Sequence, residues 1–340
     1  MTAIAASDIV TGMKALGFLI IIQRFIGSPF PVTLGTGPVA LTADPLAKFL
    51  YVANGTPGNV SGFSINQTSG VLVEHIGSPS TLAPSTNPQS VAADPSGRYL
   101  YVANQGSDNV SAFSIASGTG ILNAIASIST GANTGPRAVT IEPSGQFAYI
   151  VNVTTHEVRQ FSINQTTGAL GAGGVFPLAV AAAPGAIVAD PSGRFLYVAN
   201  TGNDTVSAYL INASTGSLTP IAGSPFSLAA NAAPLSLVTD VFGQVLYVAN
   251  GGTDNLSAFT IDQTTGALVA LACPVCVLSL ATSPQSITVE LSGRFAYVAN
   301  ASGTVTAFAI NQTTGVLSAV AGSPFAAGLS PSAITTVGRF

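Results

Sequence analysis

The four-residue segment Tyr-Val-Ala-Asn recurs along this chain at a nearly constant spacing. It occurs five times, and Tyr-Ile-Val-Asn takes its place once. The six tyrosines are Tyr51, Tyr101, Tyr149, Tyr197, Tyr247 and Tyr297, with steps of 50, 48, 48, 50 and 50 residues between them. A period of this size indicates a repeated supersecondary unit. The 340 residues are therefore expected to form one architecture, a single domain over residues 1–340.

One repeat is divided by turn residues into four short segments with strand character. Taken from Pro88, these are residues 88–93, 98–104, 109–115 and 121–128, named strands a, b, c and d. The aromatic and β-branched content of strand b suits a sheet, and Asp-Pro-Ser-Gly before it is a turn sequence. Four-stranded units repeated every 40 to 50 residues or so predict an all-β fold, a β-propeller of antiparallel blades.

The Tyr-Val-Ala-Asn strand, the Asp-Pro-Ser-Gly-Arg turn before it and the Asn-Gln-Thr-Thr-Gly turn after it resemble those of the YVTN-repeat propellers. These proteins are relatives of the lactonase-type seven-bladed propellers. The resemblance extends over nearly the whole chain. It implies a seven-bladed fold, and it leaves the function open because the family includes both surface proteins and enzymes.

Seven candidate a strands stand beside only six Tyr-Val-Ala-Asn strands. They start near Val39, Gln89, Arg137, Gly185, Leu235, Gln285 and Ser332. We therefore predict a seventh blade assembled from both ends of the chain, residues 331–340 with residues 1–30. Strand a would come from the C-terminus, and residues 2–7, 10–15 and 19–25 would supply strands b, c and d.

The composition argues against several partners. Only 6% of the residues are charged, against roughly 25% in typical soluble domains, and the net charge is -4. Without a basic patch, nucleic acid is not an expected partner. The apolar run at residues 15–22 is too short for the roughly 20 residues of a membrane span, so no transmembrane anchor is expected.

Blade three carries the charged residues that the repeat does not explain. Arg137, His156, Glu157 and Arg159 stand where other blades have small or neutral side chains. A general acid–base site can draw on such a mixture, and the resemblance to lactonase-type enzymes implies a channel position for Arg137. The alternative is that His156 and Glu157 begin strand c and that Arg159 is solvated or bridges two blades.

No metal or cofactor is expected, because two isolated histidines and no Asp-rich loop supply no recognisable ligand set. Cys273 and Cys276 are close enough in sequence for a disulfide, which would fit an oxidising compartment.

Eleven Asn-X-Ser/Thr sequons suggest either ordinary turn chemistry or a glycan coat on a secreted protein. They are Asn54, Asn59, Asn66, Asn109, Asn152, Asn164, Asn203, Asn212, Asn255, Asn300 and Asn311.

Three functions are compatible with these features. The first is a non-catalytic extracellular or cell-surface propeller, structural or adhesive, that self-associates into filaments through its split blade or through an apolar N-terminal edge strand. The residues of that edge are Leu19, Ile20, Ile21, Ile22 and Phe25. The second is a lactonase-type hydrolase acting on a sugar lactone. The third is a module that binds glycans or peptides. The paucity of charge and the regular repeat favour the first.

Overall fold

The structure is a computed structural model that describes residues 18–20, 36–67, 70–82, 86–271, 283–327 and 330–337. Within these residues the chain forms 29 strands and one 3-10 helix, Gln105–Ser107. The prediction of an all-β propeller built from four-stranded antiparallel blades is confirmed.

Six blades have the order a-b-c-d, with each strand antiparallel to its neighbour. The a strands are β2 (Thr36–Ala43), β7 (Pro88–Ala93), β11 (Pro136–Ile141), β15 (Pro184–Ala189), β20 (Pro234–Thr239) and β24 (Pro284–Val289). The b strands are β3 (Phe49–Thr56), β8 (Tyr99–Asn104), β12 (Phe147–Asn152), β16 (Phe195–Asn200), β21 (Val245–Asn250) and β25 (Phe295–Asn300).

The outer half of each blade consists of strands c and d. The c strands are β4 (Asn59–Ile65), β9 (Asn109–Ile115), β13 (Glu157–Ile163), β17 (Thr205–Ile211), β22 (Asn255–Ile261) and β26 (Thr304–Ile310). The d strands are β5 (Leu72–Glu74), β10 (Leu122–Ser129), β14 (Leu170–Pro177), β18 (Leu218–Pro220), β23 (Leu268–Ala270) and β27 (Leu317–Ala319). Three two-residue strands also pair with strand c: β6 (Ser80–Thr81), β19 (Phe226–Ser227) and β28 (Phe325–Ala326).

The b strands form the core of the protein. In blades two to six, all six residues of strand b are buried. This follows from their position, since strands a and c cover both edges and the neighbouring blades cover both faces. A strand buried on every side needs a continuous apolar run rather than alternation, and segments such as Phe-Leu-Tyr-Val-Ala provide one.

The a strands lie side by side around a central axis, and the C-terminal strand completes the ring. β29 (Thr335–Val337) lies against both β24 and β2. Just before it, Ser332 Oγ donates a hydrogen bond to the Pro38 carbonyl oxygen at 3.1 Å, and the Ile334 N–H donates to Ser286 Oγ at 3.4 Å. The described residues therefore contain seven a strands, one more than the complete blades.

The partner of β29 differs from the prediction. It is β1 (Phe18–Ile20), and Leu19 pairs with Thr336. Because strand b is the partner of strand a in every other blade, Phe18–Ile20 takes the b position, and its assignment to the outermost strand d is wrong. Residues 2–7 and 10–15 lie outside the described residues.

This pairing also bears on the proposed subunit interface. Leu19 and Ile20 belong to a strand paired with β29 rather than to an outer edge strand. The other three residues of that prediction, Ile21, Ile22 and Phe25, lie outside the described residues. No helix among the described residues is long and apolar enough to span a membrane.

The tyrosine of the repeat joins each blade to the next. Tyr149 Oη donates a hydrogen bond to the Gly216 carbonyl oxygen at 2.8 Å, across the boundary between blades three and four. The equivalent bonds run from Tyr51 to Gly120, from Tyr101 to Gly168, from Tyr197 to Gly266 and from Tyr247 to Gly315. Burial, with Glu142 nearby, raises the pKa of Tyr149 well above its ordinary value, so the hydroxyl keeps its proton.

The asparagine of the repeat acts within its own blade. Asn54 Nδ2 donates to Asn59 Oδ1 at 2.7 Å and to Ser61 Oγ at 3.0 Å, which fixes the start of strand c against the end of strand b. Such bonds recur in the other described blades, from Asn104, Asn152, Asn200, Asn250 and Asn300.

The acid that closes strand a organises the following turn through the backbone. Asp94 Oδ1 accepts hydrogen bonds from the N–H groups of Arg98 and Tyr99, both at 2.7 Å. The Arg98 guanidinium lies over the Tyr99 ring, 5.2 Å from its centroid. The carboxylate of Asp94 and the guanidinium of Arg98 therefore bind different groups, the first the backbone of the turn and the second the Tyr99 ring.

His75, which follows strand d of blade one, is partly enclosed. Its ring lies edge-on to Phe49 and Tyr51, with centroid distances of 5.6 and 6.3 Å, and its Nε2 is buried without a partner in the described residues. A Cβ atom on Gly62 would lie 2.8 Å from His75 Nδ1. The absence of a side chain at Gly62 therefore makes room for the imidazole.

Replacement of Tyr149 by Phe should lower the free energy of unfolding by about 1–2 kcal/mol, because the buried Gly216 carbonyl loses its donor. Chemical denaturation measures this difference. Tyr99→Phe is the matched control, since the Tyr99 hydroxyl has no hydrogen bond to a described residue and Phe147 fills the same place in the next blade. Equal effects of the two changes would contradict the role of the interblade bond.

His75 should make the protein less stable in mild acid. Desolvation by burial lowers the pKa of His75, although Glu74 opposes the shift. The unfolded chain then binds the proton first, so stability falls as the pH drops from about 6.5 towards the lower folded-state pKa, and it levels off below.

The double variant Gly62→Ala/His75→Ile introduces the pair that blade four has at Ala208 and Ile221. It should weaken this pH dependence, as measured by thermal unfolding between about pH 5 and 8. If the thermal stability of the double variant depended on pH as that of the natural protein does, groups other than His75 would be responsible.

Candidate functional site

The connections between strands divide the molecule into two faces. Because strands a and b are antiparallel, strand a begins and strand b ends at the same face, which is called the upper face. The loops between blades and the b–c turns lie at this face. The a–b and c–d turns lie at the opposite face, called the lower face. The ring of a strands opens at both faces.

Each of the six a strands in the complete blades has a register shift at the residue that directly follows its proline. A β-bulge of this kind redirects a side chain and is frequent beside functional sites. The shift places one unpaired residue of every blade at the upper mouth of the ring. These residues are Val39, Gln89, Arg137, Gly185, Leu235 and Gln285, and Ser332 takes the equivalent place before β29.

Arg137 is the only charged residue in the described a strands. Its guanidinium is partly exposed and makes no hydrogen bond or ion pair with any described residue. Gln89 and Gln285, by contrast, donate to groups of their own loops, to Asn87 Oδ1 at 3.1 Å and to Ser283 Oγ at 3.0 Å. The upper mouth therefore presents one permanent positive charge among neutral polar and apolar side chains, an arrangement suited to an anionic or strongly polarised oxygen.

His156 has a structural role in the loop that enters blade four. Its Nδ1 accepts a hydrogen bond from the Ala183 N–H at 3.1 Å. Asp204 occupies the same place in the next blade, where its carboxylate accepts the N–H groups of Asn231 and Ala233 at 2.7 and 2.8 Å. Asp108 and Asp254 make similar bonds. His156 therefore accepts the hydrogen bond that an aspartate accepts in the equivalent loops of other blades.

Glu157 and Arg159 also occupy positions that the repeat uses for structure. Glu157 Oε1 accepts a hydrogen bond from Asn152 Nδ2 at 2.8 Å and lies 3.3 Å from Arg159 Nε. In blade five these two positions are Asn255 and Ser257. No hydrogen bond or ion pair among the described residues joins Arg137 to His156, Glu157 or Arg159.

The eleven sequons differ in their exposure. Asn54, Asn152 and Asn300 are fully buried, and their Nδ2, the atom that carries a glycan, donates hydrogen bonds to neighbouring side chains. The four in the c–d turns are exposed: Asn66, Asn164, Asn212 and Asn311. Glycosylation of the exposed group stays a prediction.

Cys273 and Cys276 lie outside the described residues. Among the residues that the structure does describe, no group of three or more His, Cys, Asp or Glu side chains is placed to hold a metal ion.

Comparison with known families identifies the chain. The sequence model of a family described as lactonase, 7-bladed β-propeller, matches residues 31–279, well over half of the chain. The chain belongs to this lactonase propeller family. A search of curated proteins gave no match.

Solved structures with the same fold include proteins described as lactonases. A candidate 6-phosphogluconolactonase from Bacteroides fragilis superimposes with a TM-score of 0.75 at 20% identity, over 89% of this chain and 88% of the other. The corresponding protein from Bacteroides uniformis gives 0.74 at 18%, over 88% of each chain. The periplasmic gluconolactonase of Pseudomonas aeruginosa gives 0.73 at 21%, over 91% of each. At these identities the likeness shows the fold.

Membership of the lactonase family corrects one prediction. The expectation of a non-catalytic structural or adhesive propeller that forms filaments is wrong, because the family match indicates a lactonase-type protein. The sequence features behind that expectation, few charges and regular turns, are explained by the repeat itself, which uses its acids and asparagines for hydrogen bonds within the fold.

Proposed function

We propose that this protein is a lactonase-type hydrolase that opens a sugar lactone at the upper mouth of the ring. Membership of the lactonase family supports this proposal, as do the names of its structural relatives, 6-phosphogluconolactonase and gluconolactonase. The single observation that carries the location is the guanidinium of Arg137, which has no hydrogen bond or ion pair to a described residue and lies on a bulged strand, whereas the six equivalent positions carry neutral residues.

The role of Arg137 follows from the charge that develops during lactone hydrolysis. Water adds to the carbonyl carbon, and negative charge accumulates on the carbonyl oxygen. Collapse of this adduct breaks the ring C–O bond, the departing ring oxygen takes a proton, and the product is an open-chain hydroxy acid. A guanidinium that keeps its proton donates hydrogen bonds to the developing oxyanion more strongly than to the neutral lactone.

The remaining groups at the mouth position the substrate rather than transfer protons. The described a strands contain no carboxylate and no imidazole. Gln89, Gln285 and Ser332 supply amide and hydroxyl groups that match the hydroxyls of a sugar. Because sugar lactones open slowly in water without a catalyst, we propose that solvent water is the nucleophile and that electrostatic stabilisation by Arg137 provides the acceleration.

Arg137→Gln should lower the catalysed rate of sugar-lactone hydrolysis by about 100- to 1,000-fold, as the loss of an oxyanion donor does elsewhere. Hydrolysis of D-glucono-δ-lactone above its spontaneous rate measures this change. Arg98→Gln is the matched control, since it makes the same substitution in a turn at the lower face, and its activity should stay within a factor of two.

A second control separates Arg137 from the other charged residues of blade three. The triple variant His156→Asp/Glu157→Asn/Arg159→Ser gives that turn the residue types of blade five, and it should retain lactone hydrolysis. Loss of activity in the triple variant with Arg137→Gln still active would contradict the proposal. A bell-shaped pH profile centred near pH 6–7 would also contradict it, because such a profile reports a histidine rather than an arginine.

A further inference from the structure

The lower face has a groove between blades five and six. At most boundaries an aromatic residue opens strand b and packs beneath the c–d turn of the next blade. A Cβ atom on the glycine of that turn would lie 2.5 Å from Phe49, 2.2 Å from Tyr99, 2.5 Å from Phe147 and 2.4 Å from Phe195. Blade five has Val245 at this place; its Cγ2 would lie 2.5 Å from a Cβ atom on Gly315, so it contacts the same turn with a side chain that has no ring.

In blades two, four and six an arginine before strand b lies over the aromatic ring, whereas blade three has Gln146 there. Arg194 lies over Phe195, 4.8 Å from the ring centroid, and its Nη2 donates to the Gln263 carbonyl oxygen in the turn of blade five. The arginine thereby closes the boundary between blades four and five. In blade five the corresponding residue is Gln244, whose side chain has no hydrogen bond to a described residue.

Gln244 and Val245 line a cavity of about 260 Å³ between blades five and six. Pockets for drug-sized ligands measure roughly 300–1,000 Å³, so this cavity fits one sugar ring rather than a larger molecule. It is open at the lower face, at the other end of the ring from Arg137.

A third substitution places an aromatic ring at the rim of the cavity. Phe242 stands where blades two, three, four and six have serine in the same turn, and 59% of its surface is exposed. A Cβ atom on Gly293 would lie 3.5 Å from the Phe242 ring and 3.7 Å from Gln312 Nε2. Phe242 of blade five and Gln312 of blade six therefore flank the same glycine turn, one on each side of the groove.

The polar groups of the cavity are neutral except for Asp240, whose carboxylate accepts the N–H groups of Gln244 and Val245 at 2.6 and 2.8 Å and is buried. The amide of Gln244 and the Oε1 atom of Gln312 remain available, because Gln312 uses only Nε2, towards the Ser292 carbonyl oxygen at 3.0 Å. Side-chain amides both donate and accept, as sugar hydroxyls do.

We propose that this groove is a second binding site, specific for a neutral saccharide unit. One face of the sugar ring would lie on Phe242, and its hydroxyls would bond to the amides of Gln244 and Gln312. The site is additional to the lactone site, and its occupant needs neither a lactone carbonyl nor a negative charge.

Saturation-transfer NMR on the full-length protein tests the proposal, with the methyl glycosides of glucose, galactose, mannose and N-acetylglucosamine as probes. At least one of them should bind with a dissociation constant of about 0.1–10 mM. The variant Gln244→Arg/Val245→Phe, which restores the residues of blade four, should weaken binding at least tenfold. Its cavity is filled, so its thermal stability should be equal to or higher than that of the natural protein.

Phe242→Ser gives an independent variant, because the side chain is exposed and serine is the residue of the other turns. It should also weaken binding at least tenfold, and both variants should retain lactone hydrolysis. The proposal is overturned if no glycoside binds at about 10 mM, or if the filled variant binds within a factor of two of the natural protein. Since the probes are not lactones, this result is independent of the Arg137 test.

Discussion

The hydrogen bond from the repeat tyrosine to the glycine carbonyl of the next blade is the contact on which the rest of the structure depends. In the example of Tyr149, the ring is fully buried against blade four and the hydroxyl donates a hydrogen bond to the Gly216 carbonyl oxygen. A blade alone would leave both faces of its sheet exposed. The tyrosine fixes the blade spacing at a buried point, and β29 then closes the ring against the first and sixth blades.

Much of this fold could be predicted from the sequence because each element has a local signal. Strands β7 and β9 have the predicted bounds, since Pro88, the acid turn at Asp94 and the buried run after it are local features. The closing pair could not be assigned in the same way. Residues 19–25 carry no local signal that separates strand b from strand d, and the position of Phe18–Ile20 depends on its pairing with β29, which is distant in the sequence.

In the candidate site, too, some features have a local sequence signal and others are visible only in three dimensions. Arg137 was recognised as an exception to the repeat, but the bulge that exposes it is a register effect that single-sequence patterns do not reveal. His156 and Glu157 were recognised as exceptions too, yet three-dimensional equivalence to Asp204 and Thr205 assigns them to loop and strand contacts. The groove at Val245 was missed because a valine in a strand looks ordinary until the aromatic residues at equivalent places are superimposed.

The proposed functional sites therefore lie where a residue differs in type from its equivalents in the other blades and its side chain makes no hydrogen bond that supports the fold. A crystal structure of the protein soaked with D-gluconate, the product of the proposed reaction, tests this claim most directly. The account predicts density for the sugar acid at the upper mouth, with its carboxylate on the Arg137 guanidinium. Gluconate bound among residues that follow the repeat, with Arg137 left in solvent, would contradict it.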